Sequence, residues 1–381
     1  MTTLTASQPS TTRADWMAVA RELGERFAAR AAAHDGDDSF VADNYADLKT
    51  HRLFSAGVPA DLGGGGLSHA ELCGILRTLG RSCGSTALAL SMHTHLVAAA
   101  VWRRQHDRAP VEPMLRRVAA EELVLVSSGG SDWLAGSGQA RKVDGGYRID
   151  ARKIFSSGCP AGQLLVTSAV LDDPQAGPTV LHFPVALDAP GVRIQDTWHT
   201  LGMRGTGSHD ITLEDVFVPE AAIAGRRPQG KWHHLFHVIA MIALPLIYAV
   251  YVGVAAAARD LAVRHAVKKR DDANAPYLVG EMENELAAAD MALEAMIATA
   301  ATAQPGPETT NRVTIARTLC GRAAIGTVDK AMEVAGGGSF YRSLGLERLF
   351  RDVQGARYHP LLEKPQTLYT GRFALGLDVN G

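Results

Sequence analysis

The spacing of apolar residues changes character twice along this chain. From Asp15 to Glu122 apolar positions recur every three or four residues. Asp15-Trp16-Met17-Ala18-Val19-Ala20-Arg21-Glu22-Leu23 places an Asp in the capping position ahead of helical spacing. His69 to Arg81 and Ser85 to Arg104 repeat the pattern, with a Gly-rich loop from Gly57 to Gly66 before them. Near Leu123 the pattern becomes short β-type runs: 123–126, 147–149, 164–167, 179–183 and 211–219. Asp144-Gly145-Gly146 is a hairpin signal between two of them. From Trp232 onward helical spacing returns in long Ala-rich stretches around 252–270, 278–303 and 309–335. The pattern therefore predicts a disordered tail over 1–13, a helical domain over 14–122, a small antiparallel β-domain over 123–222 and a helical region over 223–381. No internal repeat is visible.

Composition narrows the function classes. The chain has 381 residues, 46% of them hydrophobic and 20% charged, with a net charge of −2. That supports a large core and argues against a nucleic-acid surface or a polybasic membrane patch. Val238 to Ala258 carries no charge and has the length of a membrane span, but it holds Pro245 and ends in small residues. A helix buried on all sides of a bundle explains it, and no membrane is expected. The four cysteines form no C-x-x-C pair, which fits reduced, buried thiols in a cytoplasmic protein. His233 and His237 stand at i, i+4 without a third ligand nearby, so no metal is expected.

Four strings carry candidate chemistry. Trp198 to Asp210 (WHTLGMRGTGSHD) sets three glycines beside an aromatic, Trp198, and a fixed cation, Arg204. Its backbone can bend sharply and approach a ligand, although a plain turn between strands explains it locally. Ser127 and Ser128 open a Gly/Ser loop whose hydroxyls and amides can donate to a ligand's oxygens. Phe155 and Ser157 sit in Lys153-Ile154-Phe155-Ser156-Ser157-Gly158, which also reads as an edge strand leaving a sheet. Gly336-Gly337-Gly338 follows a helix and could pack against a diphosphate. The run Glu347 to Asp352 behind it places Arg348, Arg351 and Asp352 at the spacing of surface helix charges.

In register, these strings resemble the acyl-CoA dehydrogenase superfamily. The Trp198 segment matches its W-x-x-x-G-M-R-G-T-x-S signature, Ser127-Ser128 a shortened T-E-P-x-x-G-S-D loop, and Gly336 to Asp352 its G-G-x-G and E-R-x-x-R-D runs. The resemblance covers Asp15 to Leu377. It implies an N-terminal helical domain, an antiparallel β-domain and a C-terminal four-helix bundle. It also implies FAD or FMN held by Ser127, Ser128, Phe155, Ser157, Trp198, Arg204 and Gly336 to Gly338, the last often at the flavin diphosphate of a neighbouring subunit, and a homo-oligomer, either dimer or tetramer.

The departures from that pattern bear on the reaction. Dehydrogenases of the family need a carboxylate base, usually a Glu eight residues beyond the Arg-Asp pair. Here that position is Pro360, preceded by His359. The alternative site on a bundle helix falls at Arg270, with Asp271 next to it, and the R-x-x-F-G string that helps hold the adenosine end of FAD is missing. Arg357-Tyr358-His359-Pro360 resembles instead the two-component flavin monooxygenases. That branch implies catalytic roles for His359 and Ser157 at a C4a-hydroperoxide, with His359 titrating near neutrality. His93 is a further catalytic candidate: His93 and His95 point to different faces of one helix, and one of them could line the pocket. The favoured expectation is a reduced-flavin monooxygenase supplied by a separate flavin reductase. An acyl-CoA dehydrogenase acting on an acyl thioester through Asp271 or Glu363, and an inactive oligomeric scaffold, are the alternatives.

Overall fold

The computed structural model describes residues 15–128, 130, 133–269 and 272–380. The expected tail over 1–13, Gly129, Ser131, Asp132, Arg270 and the displaced-base candidate Asp271 lie outside the described residues. Helices α1 (Trp16–Asp37), α2 (Ala42–Thr50), α3 (His69–Ser82), α4 (Gly84–His106) and α5 (Glu112–Glu121) come first. Asp15 caps α1 by accepting from the Ala18 amide at 3.0 Å. Ser68 and Glu71 cap α3 reciprocally, a capping box that fixes its start.

Eight strands follow: β1 (Leu125–Ser127), β2 (Gln139–Val143), β3 (Gly146–Lys153), β4 (Leu164–Asp173), β5 (Gly177–Ala186), β6 (Val192–Gln195), β7 (Asp210–Pro219) and β8 (Gly225–Pro228). Their order is β6-β7-β3-β2-β4-β5-β8, with β1 beside β4. The sheet is mixed, which corrects the antiparallel expectation. β1 and β2 both pair with β4 in parallel, and the remaining pairs are antiparallel. Parallel pairing needs a crossover rather than a hairpin. β2 does form the expected hairpin with β3, around Asp144 and Gly145. One face of the sheet buries its own core, including Val126, Ile149, Leu165, Phe183 and Val216.

The chain then returns to helices: α6 (His234–Ala266), α7 (Ala275–Thr302), α8 (Pro307–Ala335), α9 (Leu346–Val353) and α10 (Glu363–Ala374). α6 is the axis of the molecule. It packs against α3, α4, α7, α8 and α9, and protein buries 94% of its most apolar 18-residue window. The uncharged stretch is therefore a core helix packed on all sides, as its composition allowed. Two glycines set its distance from α3. A Cβ on Gly80 would stand 2.6 Å from the Val250 carbonyl oxygen, and one on Gly253 would stand 2.3 Å from that of Arg77.

Candidate active site

A cavity of about 470 Å³ opens between the sheet, α4, α6 and the segment after α9. That size suits a cofactor and substrate site. The sheet side contributes Ser127, Ser128, Phe155, Ser157 and Trp198, and the C-terminal segment contributes Gln354, Tyr358 and His359. α4 presents Leu88, Met92 and His95, while α6 presents Phe236, Ile239, Ala243, Ile247 and Tyr251. Six of the expected site residues thus meet in one space. The cavity is open rather than filled by side chains, which speaks against the scaffold alternative.

The sheet wall suits a flat, uncharged ring. Phe155 has φ +57°, unfavourable for a bulky residue, and its side chain stays 45% exposed. Its ring meets Trp198 edge-on at 5.8 Å, and the Trp198 indole N–H donates to the Met203 carbonyl at 3.1 Å. Beside this aromatic corner the Ser157 hydroxyl is 2.7 Å from that of Ser208, which lies 2.7 Å from that of Thr206. The Ser128 and Thr167 hydroxyls are 2.6 Å apart. Apolar surface with several hydroxyls along it matches the isoalloxazine ring of a flavin, whose faces are apolar and whose edge carries hydrogen-bonding atoms.

At the opposite wall the hydroxyl of Tyr251 is 2.6 Å from His359 Nε2. Burial holds that phenol far above its ordinary range, so it keeps its proton. It has no other acceptor among the described residues and therefore donates to Nε2, which puts the imidazole proton on Nδ1. Arg317, nearly fully buried, donates to the carbonyl of His359 at 2.5 Å and fixes the backbone there. Burial first, then Arg317 and His95, push the His359 pKa down to about 3. His359 is thus a neutral donor rather than the near-neutral titrating acid expected from the sequence.

Two other expectations, for His93 and Arg204, change. His93 is 1% exposed and does not reach the cavity. Its Nε2–H donates to the Phe54 carbonyl at 2.8 Å and its Nδ1 accepts from the Leu125 amide at 2.9 Å, so both nitrogens are used in joining α4 to β1. His95 lines the cavity instead. Its Nδ1 donates to the Ser91 carbonyl at 3.2 Å, which leaves Nε2 as an acceptor, and burial lowers its pKa to about 4. Arg204 is turned away from the cavity, with Nε donating to the Thr200 carbonyl, Nη1 to the Asp35 carbonyl and Asp38 at 3.4 Å. Gly336 to Gly338 form a turn after α8 beside His265, away from the cavity of their own chain.

The charges on α9 do not behave as surface charges. Arg351 lines the cavity and holds Asp35 and Glu347. Asp352 is fully enclosed and accepts from the Met203 amide at 2.5 Å, and burial raises its pKa to about 6. It supports the Gly202-Met203 turn on the cavity wall. Among the described residues no Asp or Glu lines the cavity. Glu363 lies on α10, bound to Arg322, and is not on the cavity wall. His233 and His237 are separated by their partners: His233 caps α6, while His237 faces Thr310 and stacks on Trp232. Among the described residues no cluster of metal-binding side chains exists.

Sequence reasoning missed Tyr251, His182 and Trp133. Two tyrosines inside the uncharged stretch 238–258 are the available signal for Tyr251, because a buried phenol needs a partner for its hydroxyl. His182 and Trp133 gave no such sign.

Known proteins agree with this geometry. Acyl-CoA dehydrogenase family models match residues 12–107 (N-terminal domain), 127–216 (middle domain) and 246–364 (C-terminal domain). YdbM of Bacillus subtilis, provisionally named an acyl-CoA dehydrogenase, is 28% identical over 91% of this chain and 93% of its own. A pigment production hydroxylase of a Rhodococcus species is 27% identical over 97% and 98%. The amino sugar nitrososynthase RubN8 of Streptomyces rubradiris is 30% identical over 93% and 88%. Among solved structures, KijD3 in complex with FMN and a dTDP-linked amino-keto sugar superposes with a TM-score of 0.87 at 29% identity, covering 97% of this chain and 95% of that one. The chain belongs to the acyl-CoA dehydrogenase superfamily and is a flavin-dependent oxidoreductase whose cofactor is FAD or FMN.

Proposed function

We propose that this chain is the oxygenase component of a two-component flavin monooxygenase, acting in the cytoplasm on a small molecule and supplied by a separate flavin reductase. One observation carries the reading: where a dehydrogenase needs a carboxylate base, the cavity offers the neutral imidazole of His359, and no described acid reaches it. The hydroxylase and nitrososynthase relatives support the same side.

Bound in its reduced form, the flavin supplies the activation of oxygen. The residues that would hold its ring are Phe155, Trp198, Ser127, Ser128 and Ser157. Ser157 presents a hydroxyl already oriented by Ser208. His359 presents Nδ1–H without carrying charge, so it can hydrogen-bond an oxygen atom without acting as a strong acid. His95 presents an unprotonated Nε2, which can accept a hydrogen bond from a hydroxyl or amine of the substrate and orient it. Leu88, Met92, Ile239, Ala243 and Ile247 keep the space dry, which protects reactive oxygen chemistry from water.

We infer domain limits at 14–122, 123–222 and 223–381, and self-association through the bundle. Tyr277, Met291 and Leu319 expose large apolar surface on α7 and α8, which supports a dimer or tetramer. In such an assembly Gly336 to Gly338 would face a neighbour's cofactor rather than their own. The deciding experiment supplies FMN or FAD, a flavin reductase, NADH and isotopically labelled oxygen, with panels of phenols, amines and acyl thioesters. Transfer of one labelled oxygen atom to product is expected. Bleaching of oxidised flavin by an acyl-CoA under nitrogen would overturn the reading in favour of the dehydrogenase.

A further inference from the structure

The cavity extends well beyond the wall suited to the flavin. Its α6 face runs from Tyr251 to Phe236, fifteen residues apart, about 22 Å along the helix axis. Tyr251 and His359 mark one end. Phe236 marks the other, flanked by His182 at 6.1 Å and Trp133 at 5.6 Å between ring centres. His182 is on β5, paired with Ser168 of β4. Phe155 follows β3, and the strand order puts β5 three spacings from β3, about 14 Å. Between the two ends the lining is mainly apolar, with Leu96, Ile239 and Ala243.

The far end presents a hydrogen-bond donor. Arg227 Nε donates to His182 Nε2 at 3.0 Å. A guanidinium cannot accept, so Nε2 is unprotonated and the ring proton sits on Nδ1. Among the described residues nothing accepts from that N–H. Arg227 also donates to the carbonyls of Trp133 and Leu134, and its guanidinium lies 4.3 Å from the Phe236 ring centre, so one buried side chain braces the whole group. Burial, then Arg227 and Lys153, lower the His182 pKa to about 3, which keeps the ring neutral. The indole N–H of Trp133 is buried and has no partner among the described residues. A donor left unmatched beside Phe236 is costly, so the His182 N–H selects a ligand that can accept, whereas the Trp133 nitrogen is enclosed by protein.

We propose that His182 is a specificity-determining residue that binds an acceptor oxygen, of a ketone, carboxylate or phenolate, at the far end of an elongated and otherwise apolar substrate. The inference rests on the cavity being the substrate site described above. It assigns the His182 donor to substrate rather than to flavin, because β5 stands three strand spacings from β3, which Phe155 follows.

The test is calorimetric binding to the flavin-loaded protein, with 4-acetylbiphenyl and 4-isopropenylbiphenyl as probes of matched shape. The wild type is expected to bind the ketone about tenfold more tightly than the hydrocarbon. His182→Met removes the ring N–H and brings no donor of its own, while its sulfur stays a weak acceptor for Arg227. It should bring the ratio below about threefold, while the hydrocarbon and FMN bind as before. A wild type with no preference, or a preference that survives the substitution, overturns the proposal. Weakened FMN binding in the variant would assign the donor to the cofactor and overturn it too. If His182→Met does not fold, His182→Leu decides in its place. The readout needs no oxygen chemistry, so a protein that failed to oxygenate would still show the preference.

Discussion

Asp352 couples stability to pH in a direction unusual for an acid. Its carboxyl is fully enclosed beneath the cavity wall, and its pKa rises from 3.8 to about 6, chiefly through burial. Well below the unfolded value of 3.8 it is protonated both folded and unfolded and costs nothing. As pH rises the unfolded chain releases the proton first, so stability falls, and the full cost is in place once pH exceeds the folded value of about 6. The gap corresponds to about 3 kcal/mol at 1.36 kcal/mol per pH unit. Asp352→Asn retains an oxygen that accepts from Met203 and cannot ionise. The buried histidines at 93, 95, 182, 237 and 359, all lowered to about 3 or 4, pull the other way and raise stability with pH. They do so equally in both proteins, so the difference between variant and wild type isolates the carboxyl. Urea unfolding at pH 4.0 and 7.5 should show that difference moving by about 2.5 kcal/mol in favour of the variant at the higher pH, since part of the cost is already present at pH 4.0. Any pH-independent effect of the new amide cancels. A difference that stays constant, or moves the other way, refutes the account of Asp352 as a buried, ionised acid.

Four further outcomes are expected. His93→Ala should lose about 2–3 kcal/mol in urea unfolding because it orphans the Phe54 carbonyl and the Leu125 amide, whereas His95→Gln should unfold like the wild type and lose turnover. Tyr251→Phe should remain folded but release more hydrogen peroxide per NADH oxidised, measured by a peroxidase-coupled assay, because His359 loses the bond that fixes its proton. The rate of the oxygen-transfer step, followed by rapid-quench product analysis, should show no inflection near pH 6.5 from His359, whose pKa lies near 3. Gly253→Ala should cost about 1–3 kcal/mol in thermal unfolding, since the new methyl would meet the Arg77 carbonyl oxygen at 2.3 Å.

Much of the fold could be read from local signals. Asp15, the Ser68–Glu71 box and the Asp144-Gly145 turn are short-range chemistry, and each lies where spacing put it. What failed depended on partners distant in sequence. The parallel pairing of β4 with β1 and β2 is made by crossovers, which leave no turn motif. Phe155, Ser157 and His359 reached the cavity because whole strings matched in register. The difference between His93 and His95 turns on the phase of α4, which is set by packing against Phe54 and Leu125 rather than by its own spacing. Arg204 looked like a free cation in a ligand loop until α1 supplied Asp35 and Asp38 from about 170 residues earlier in the chain. His182 is one strand residue among ten, and only Arg227 gives its ring a fixed polarity.

The tight crossing of α3 and α6 limits how this enzyme can acquire new substrates. Gly80 and Gly253 leave no slack between α3 and α6, and α6 also carries Ile239, Ala243 and Ile247 into the cavity. That boundary of the reaction chamber cannot slide outward to admit a bulkier guest. New selectivity has to come from trimming or exchanging individual side chains on a stationary backbone. Laboratory evolution of the chain should therefore gather its productive changes at those three positions and across from them on α4, and find few in the helix-crossing seam.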